Sequence, residues 1–167
     1  MKLLITQDNN QKYNDVMLVI IGSTRHHEDE LLVEKLHHLI DTLHLTNHVT
    51  LCVNQPYQVI ETFLTHSLIG LHTMWNEHFG ISVVEMMVAG LITIAHASGG
   101  PKADIIQPGK TGYLASEPSE YAQSIQYALD HYEELFPLRQ AARQQACERF
   151  SDEVFIQQIQ NVYKNIL

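Results

Sequence analysis

Two kinds of apolar pattern alternate along the chain. Short, nearly unbroken apolar runs occupy 16–22 (VMLVIIG), 48–53 (HVTLCV), 68–74 (LIGLHTM), 91–97 (LITIAHA) and 111–115 (TGYLA). Continuous runs of this length, rich in β-branched residues, predict strands buried on both faces. The segments between them carry helical spacing. In EDELLVEKLHHLIDTLHL, Leu32, Leu36, Leu39, Ile40 and Leu43 fall on one stripe. YQVIETFLTHS predicts a short helix, and GISVVEMMVAG predicts about three turns stopped by Gly90. GGPKADIIQ opens a further short helix with Pro101 in its first turn, and Pro108 and Gly109 turn the chain before the last strand.

From about Ser119 onward the pattern is helical throughout. Ser151 is expected to cap the last helix, with Asp152 and Glu153 in its positive first turn. The first sixteen residues read as the end of a helix and a polar loop. The order is β-α repeated five times, which predicts an α/β fold with a parallel sheet covered on both faces. No repeat, low-complexity stretch or internal linker interrupts it, so residues 1–167 are expected to form a single domain.

Composition narrows the function classes. With 45% hydrophobic and 17% charged residues the chain is an ordinary globular sequence. A net charge of −9 argues against a nucleic-acid partner, which needs a surplus of Lys and Arg on one face. A small phosphate ligand held by backbone N–H groups remains compatible with it. Cys52 and Cys147 are expected to be buried, reduced thiols, as in a cytosolic protein. No signal peptide opens the chain, and no apolar run reaches the ~18 residues of a membrane span. The opening residues suggest a piece of a longer protein.

In an open parallel sheet, ligands sit beyond the carboxyl ends of the strands. Three polar, glycine-containing segments reach that edge: GSTRHHED, HTMWNEHFG and HASGGPK. Glu77 and Glu85 flank a His-Phe-Gly turn in the second of these and the helix after it. Gly80 begins that helix, so the N–H groups of roughly 78–81 (His78, Phe79, Gly80 and Ile81) are expected to point outward unpaired. Two carboxylates beside free amides suit a ligand with many hydroxyls, such as a sugar joined to a ribose. Equally, Glu77 reads as a helix-end charge and Glu85 as an exposed helix position. Gly99 and Gly100 either open backbone amides to a ligand or simply turn the chain. Arg25, the first of four arginines, suits a phosphate or base contact or a solvated loop. His72 and His78 flank the same pocket, His72 also reading as a satisfied strand-end residue.

Eleven histidines invite a metal reading, but HLTNH (His44 and His48) lacks an inner glutamate and straddles a helix end, so no metal is expected. No nucleophilic triad and no phosphate-binding Gly-Lys-Ser/Thr loop has supporting context.

EHFGISVVE resembles the E-x7-E motif of retaining glycosyltransferases with two Rossmann-like lobes, the GT-B fold. GLHTMWNEHFGISVVEMMVAG, AHASGGPKADII and GSTRHHEDELLVEKL together resemble the α-1,2-mannosyltransferases of asparagine-linked glycosylation. Nearly all 167 residues take part, as the C-terminal, donor-binding lobe. The resemblance implies transfer of mannose from GDP-mannose to a dolichyl-pyrophosphate-linked oligosaccharide at the cytosolic face of the endoplasmic reticulum. No cofactor besides the donor substrate is implied. A membrane-associated partner is possible in such a system.

By the same resemblance Glu77 faces the donor mannose and is the catalytic-site carboxylate. The amides of His78, Phe79, Gly80 and Ile81 border sugar and diphosphate, and Glu85 holds the ribose hydroxyls. Gly99, Gly100 and Pro101 shape the wall, and Arg25 lies near the nucleotide. The sequence departs from the family in three ways. The basic Arg-Pro-Glu-Lys loop is absent, and so are the N-terminal acceptor lobe and membrane anchor. QPGKTGYLA is also shorter than the family's loop. These departures imply weak activity for the chain alone. Two other readings stand beside this one: a lobe for another nucleotide sugar, and a non-catalytic nucleotide-sugar-binding subunit completed by a separate chain.

Overall fold

The computed structural model describes residues 1–6 and 12–166. Part of the expected N-terminal polar loop falls on 7–11, outside the described residues. Two compact units emerge, Met1–Phe63 and Leu64–Leu167.

The first unit contains α1 (Lys2–Thr6), β1 (Leu18–Gly22), α2 (His27–Thr42) and β2 (Val49–Val53). The division from the second unit falls within α3 (Tyr57–His66). β1 and β2 pair in parallel, from Leu18 opposite Val49 to Gly22 opposite Val53. Ile40, Leu45 and Val49 form the buried centre, with Leu18 and Leu51 packed on them. The Asp29 carboxylate accepts the N–H groups of Arg25 (2.8 Å) and His26 (3.2 Å) at the start of α2. These bonds hold its pKa below the usual carboxylate range.

The second unit runs β3 (Ile69–His72), α4 (Ile81–Ala89), β4 (Ile92–His96), β5 (Tyr113–Ala115), α5 (Pro118–Asp130), α6 (Phe136–Phe150) and α7 (Asp152–Ile166). Its strands form a second parallel sheet in the order β3-β4-β5. The hydrogen-bonded ladders therefore make two sheets where a single one is expected from the apolar pattern. Parallel strands with helices on both faces are nonetheless the architecture throughout. Ile92 and Ile94 in β4 are fully buried, as the central strand of a covered sheet must be. On one side Val83, Val84 and Met87 of α4 pack with Ala142 and Ala146 of α6. In a separate cluster Ala128, Leu135 and Leu138 pack with Ile92.

Local features follow their residues. Gly90 closes α4 in the left-handed region, φ 84°, as its place after the last apolar turn suggests. Ser151 Oγ accepts the Val154 N–H at 3.4 Å, the expected cap of α7. Two expectations are corrected. The segment Pro101–Ile105 is a π turn, with the Ile106 N–H reaching back to the Pro101 carbonyl at 2.9 Å. Both cysteines are free as expected, but Cys147 is exposed and Cys52 half-buried. In α6 the buried stripe is Leu138, Ala142 and Ala146, and Cys147 stands one residue off it.

Candidate functional site

β3 ends at His72 and β4 at His96, and their parallel register (His72 opposite Ala95) sends both following loops out over the same sheet edge. The loops lock together through glycine. Gly99 has φ 54°, and a Cβ on it would stand 2.1 Å from the Glu77 carbonyl oxygen. A Cβ on Gly100 would stand 2.4 Å from the carbonyl oxygens of both His78 and Phe79. Contacts this short admit no side chain, so both positions need glycine for space alone. The Gly100 N–H donates to the Glu77 carbonyl at 2.7 Å. Gly80, at φ 98°, begins α4 with Pro101 against it, 3.3 Å from where a Cβ would lie.

A cleft of about 510 Å³ opens between these loops, lined by Asn76, Glu77, His78, Gly99, Gly100 and Lys102 among others. Val83 and Val84 donate back to the Gly80 carbonyl. The N–H groups of Gly80, Ile81 and Ser82 meet no acceptor among the described residues. The start of α4 thus keeps free donors for an anionic or oxygen-rich group.

Among His72, Glu77 and His78, His72 has the least exposed side chain. Its side chain is 10% exposed, and Nε2 lies 3.9 Å from Glu77 Oε2, beyond hydrogen-bond length. Its Nδ1 is buried without a hydrogen-bond partner. Burial pushes the His72 pKa below the ordinary 6.5, while the Glu77 charge pulls it upward and nearby His96 pushes it down. Burial is the largest influence, so His72 is neutral at neutral pH and meets Glu77 as a dipole. The Tyr121 hydroxyl of α5 donates to the His72 carbonyl at 3.1 Å, fixing the strand end.

The structure thus brings together His72, Glu77, His78, Gly80, Gly99, Gly100 and Pro101. The side chains of Phe79 and Ile81 turn elsewhere, into a groove of about 540 Å³ shared with Val84, Arg149, Phe150 and Phe155. Phe79 meets Phe150 edge-on, ring centroids 5.3 Å apart. Glu85 is half-buried, one turn after Ile81, on the face of α4 away from Val83 and Met87. It makes no hydrogen bond among the described residues and is not part of the Glu77 cleft lining. Arg25 belongs to the first unit, exposed on the loop after β1.

Three residues escape the sequence reading. Lys102 supplies a cationic side chain to the cleft. Asn76 holds a left-handed turn, φ 56°. The Ser98 hydroxyl lies 2.8 Å from both the Asn76 N–H nitrogen and His96 Nδ1. Only the polar character of HASGGP hints at Ser98. Among the described residues no group of three or more His, Cys, Asp or Glu is placed to hold a metal ion.

The site is thus a glycine-locked, carboxylate-bearing cleft at the edge of a parallel sheet. Residues 3–148 match the family of glycosyl transferases group 1, and the chain belongs to that family. It is 44% identical over 142 residues to the human GDP-Man:Man(3)GlcNAc(2)-PP-Dol alpha-1,2-mannosyltransferase, covering 83% of this chain and 29% of the relative. Its fold is similar to that of Anabaena HepE in complex with UDP, with a TM-score of 0.85 and 23% identity, over 98% of this chain and 44% of that one. It is also similar to the C-terminal domain of the group 1 protein LpcC from Francisella tularensis, with a TM-score of 0.75 and 17% identity, over 90% and 76% of the two chains. The chain spans about 29% of the length of the human relative.

Proposed function

We propose that this chain is the donor-binding lobe of a retaining, GDP-mannose-dependent α-1,2-mannosyltransferase that acts on a dolichyl-pyrophosphate-linked oligosaccharide. The observation that carries the proposal is Glu77, held by the Gly99–Gly100 loop in a cleft beside free α4 amides, in a chain 44% identical to a relative of that name. The Glu77 carboxylate accepts hydrogen bonds from the donor mannose hydroxyls. The amides at the start of α4, from His78 to Ile81, border the diphosphate, and Lys102 adds positive charge. Glu85 takes the ribose hydroxyls, and Gly99, Gly100 and Pro101 form the wall.

In the transfer, the bond from the mannose anomeric carbon to the GDP phosphate oxygen breaks. A bond to the acceptor hydroxyl forms on the same face, and the acceptor proton leaves with the diphosphate. The positive charge that develops on the sugar is stabilised by Glu77, and the charge that develops on the diphosphate by the amides. The acceptor is expected to bind a lobe outside these 167 residues, at the cytosolic face of the endoplasmic reticulum. No helix among the described residues is long and apolar enough to cross a membrane.

Calorimetric titration with GDP-mannose, GDP and UDP-glucose tests the donor assignment. The expected result is weak binding of both guanine nucleotides and weaker or no binding of UDP-glucose. Equal affinity for guanine and uracil donors would remove the mannosyl assignment.

A further inference from the structure

We infer that Ser98 is a positioning residue, whose hydroxyl braces the turn that aims Glu77 into the cleft. The inference rests on the proposed role of Glu77. Two hydrogen bonds bracket the Asn76–Glu77 pair. The Asn76 N–H donates to Ser98 Oγ at 2.8 Å, and the Glu77 carbonyl accepts the Gly100 N–H at 2.7 Å. Asn76 lies in the left-handed region, φ 56°, which asparagine enters more readily than other side-chain-bearing residues, and this turn sets the direction in which Glu77 follows. The Gly100 bond comes from backbone and survives most substitutions. Ser98 supplies the one side-chain bond of the two.

The hydroxyl is itself oriented. It lies 2.8 Å from His96 Nδ1, so in the tautomer protonated at Nε2 it donates to that nitrogen and turns its lone pairs to Asn76. Ser98 is also tied through its backbone, its N–H to the His96 carbonyl at 2.8 Å and its carbonyl to the Lys102 N–H at 3.4 Å. The end of β4 therefore holds the serine, and the serine holds the loop of β3. The chain of bonds runs His96, Ser98, Asn76, Glu77, and ends at the carboxylate that faces the sugar. The free N–H groups of Gly80, Ile81 and Ser82 lie three to five residues further along the chain than Glu77. Loosening it should reach the sugar before the nucleotide.

Three versions of this 167-residue chain test the inference: parent, Ser98→Ala and Ser98→Thr. Amide exchange by NMR reads the brace without any ligand. The Asn76 amide should be protected in the parent, exchange about tenfold faster in Ser98→Ala, and return toward parent behaviour in Ser98→Thr. In calorimetry, Ser98→Ala should weaken GDP-mannose binding about fivefold, the scale of one hydrogen bond, and leave GDP within about twofold. An unprotected Asn76 amide in the parent, or unchanged exchange in Ser98→Ala, overturns the brace. Equal weakening of GDP-mannose and GDP, or no rescue by threonine, overturns its role in positioning Glu77. A parent chain that binds no GDP-mannose would refute the donor assignment, while amide exchange would still decide the brace.

Discussion

Gly99 lies so close to Glu77 that a single added methyl group would stand 2.1 Å from the Glu77 carbonyl oxygen. The obstacle is backbone, not a movable side chain, and Gly99 also sits at φ 54°. Gly99→Ala must therefore displace the Glu77 loop and is expected to cost at least about 3 kcal/mol of stability. Gly90→Ala is the contrast. Gly90 has φ 84° but nothing within 4 Å, so only left-handed strain applies, about 1 kcal/mol. Urea unfolding of the two variants measures the difference. Similar losses would show that the loops are not locked as described.

His72 is expected to titrate below the ordinary histidine value of 6.5, because burial outweighs the nearby Glu77 charge. The linkage runs in one direction. Below about pH 6.5 the unfolded chain takes a proton on this residue that the folded chain resists, so His72 costs stability as pH falls through that value. Glu77→Gln removes the influence that raises the pKa and should lower it further. NMR titration of the imidazole in both chains is the check. A pKa at or above 6.5 in the parent, or a rise in the variant, contradicts the account.

Tyr121 ties α5 to the end of β3 through its hydroxyl on the His72 carbonyl, 3.1 Å away. Burial, with the neighbouring Glu120 charge, pushes the Tyr121 pKa to about 12, so the phenol stays a donor across the physiological range. Tyr121→Phe should cost about 1 kcal/mol in denaturant unfolding and leave the fold intact. No measurable loss would show that the strand end is held by packing alone.

The two glutamates should separate in binding. Glu77→Ala is expected to erode discrimination among donor sugars while keeping GDP affinity. Glu85→Ala is expected to weaken GDP itself, by roughly fivefold for a lost charge-assisted hydrogen bond. Calorimetry with GDP and GDP-mannose distinguishes the two. Parent-like affinities in both variants would return the carboxylates to plain surface roles.

Much of this molecule is written in its apolar pattern. Runs such as LITIAHA are strands because β4 is covered on both faces, and Gly90 stops α4 because no side chain favours its φ. The glycines of SGGP were visible as permissive positions, but not the partner that requires them, since Glu77 lies 22 residues before Gly99. Long-range contacts of this kind leave no periodicity. Ser98 was silent for the same reason: its partner Asn76, 22 residues earlier, meets it only once β3 and β4 are paired. The π turn at Pro101 was legible as a helix start and not as a π turn, because proline fixes φ without selecting the hydrogen-bond register. Cys147 misled because an apolar-looking residue in a helix is buried only on the right stripe.

A crystal structure of this chain with GDP-mannose tests the central claim most directly. The account predicts mannose hydroxyls within about 3 Å of the Glu77 carboxylate, with the sugar against Gly99 and Gly100 and the diphosphate at the first amides of α4. A donor seated away from the Glu77 cleft, or one whose sugar leaves that carboxylate in solvent, would contradict it.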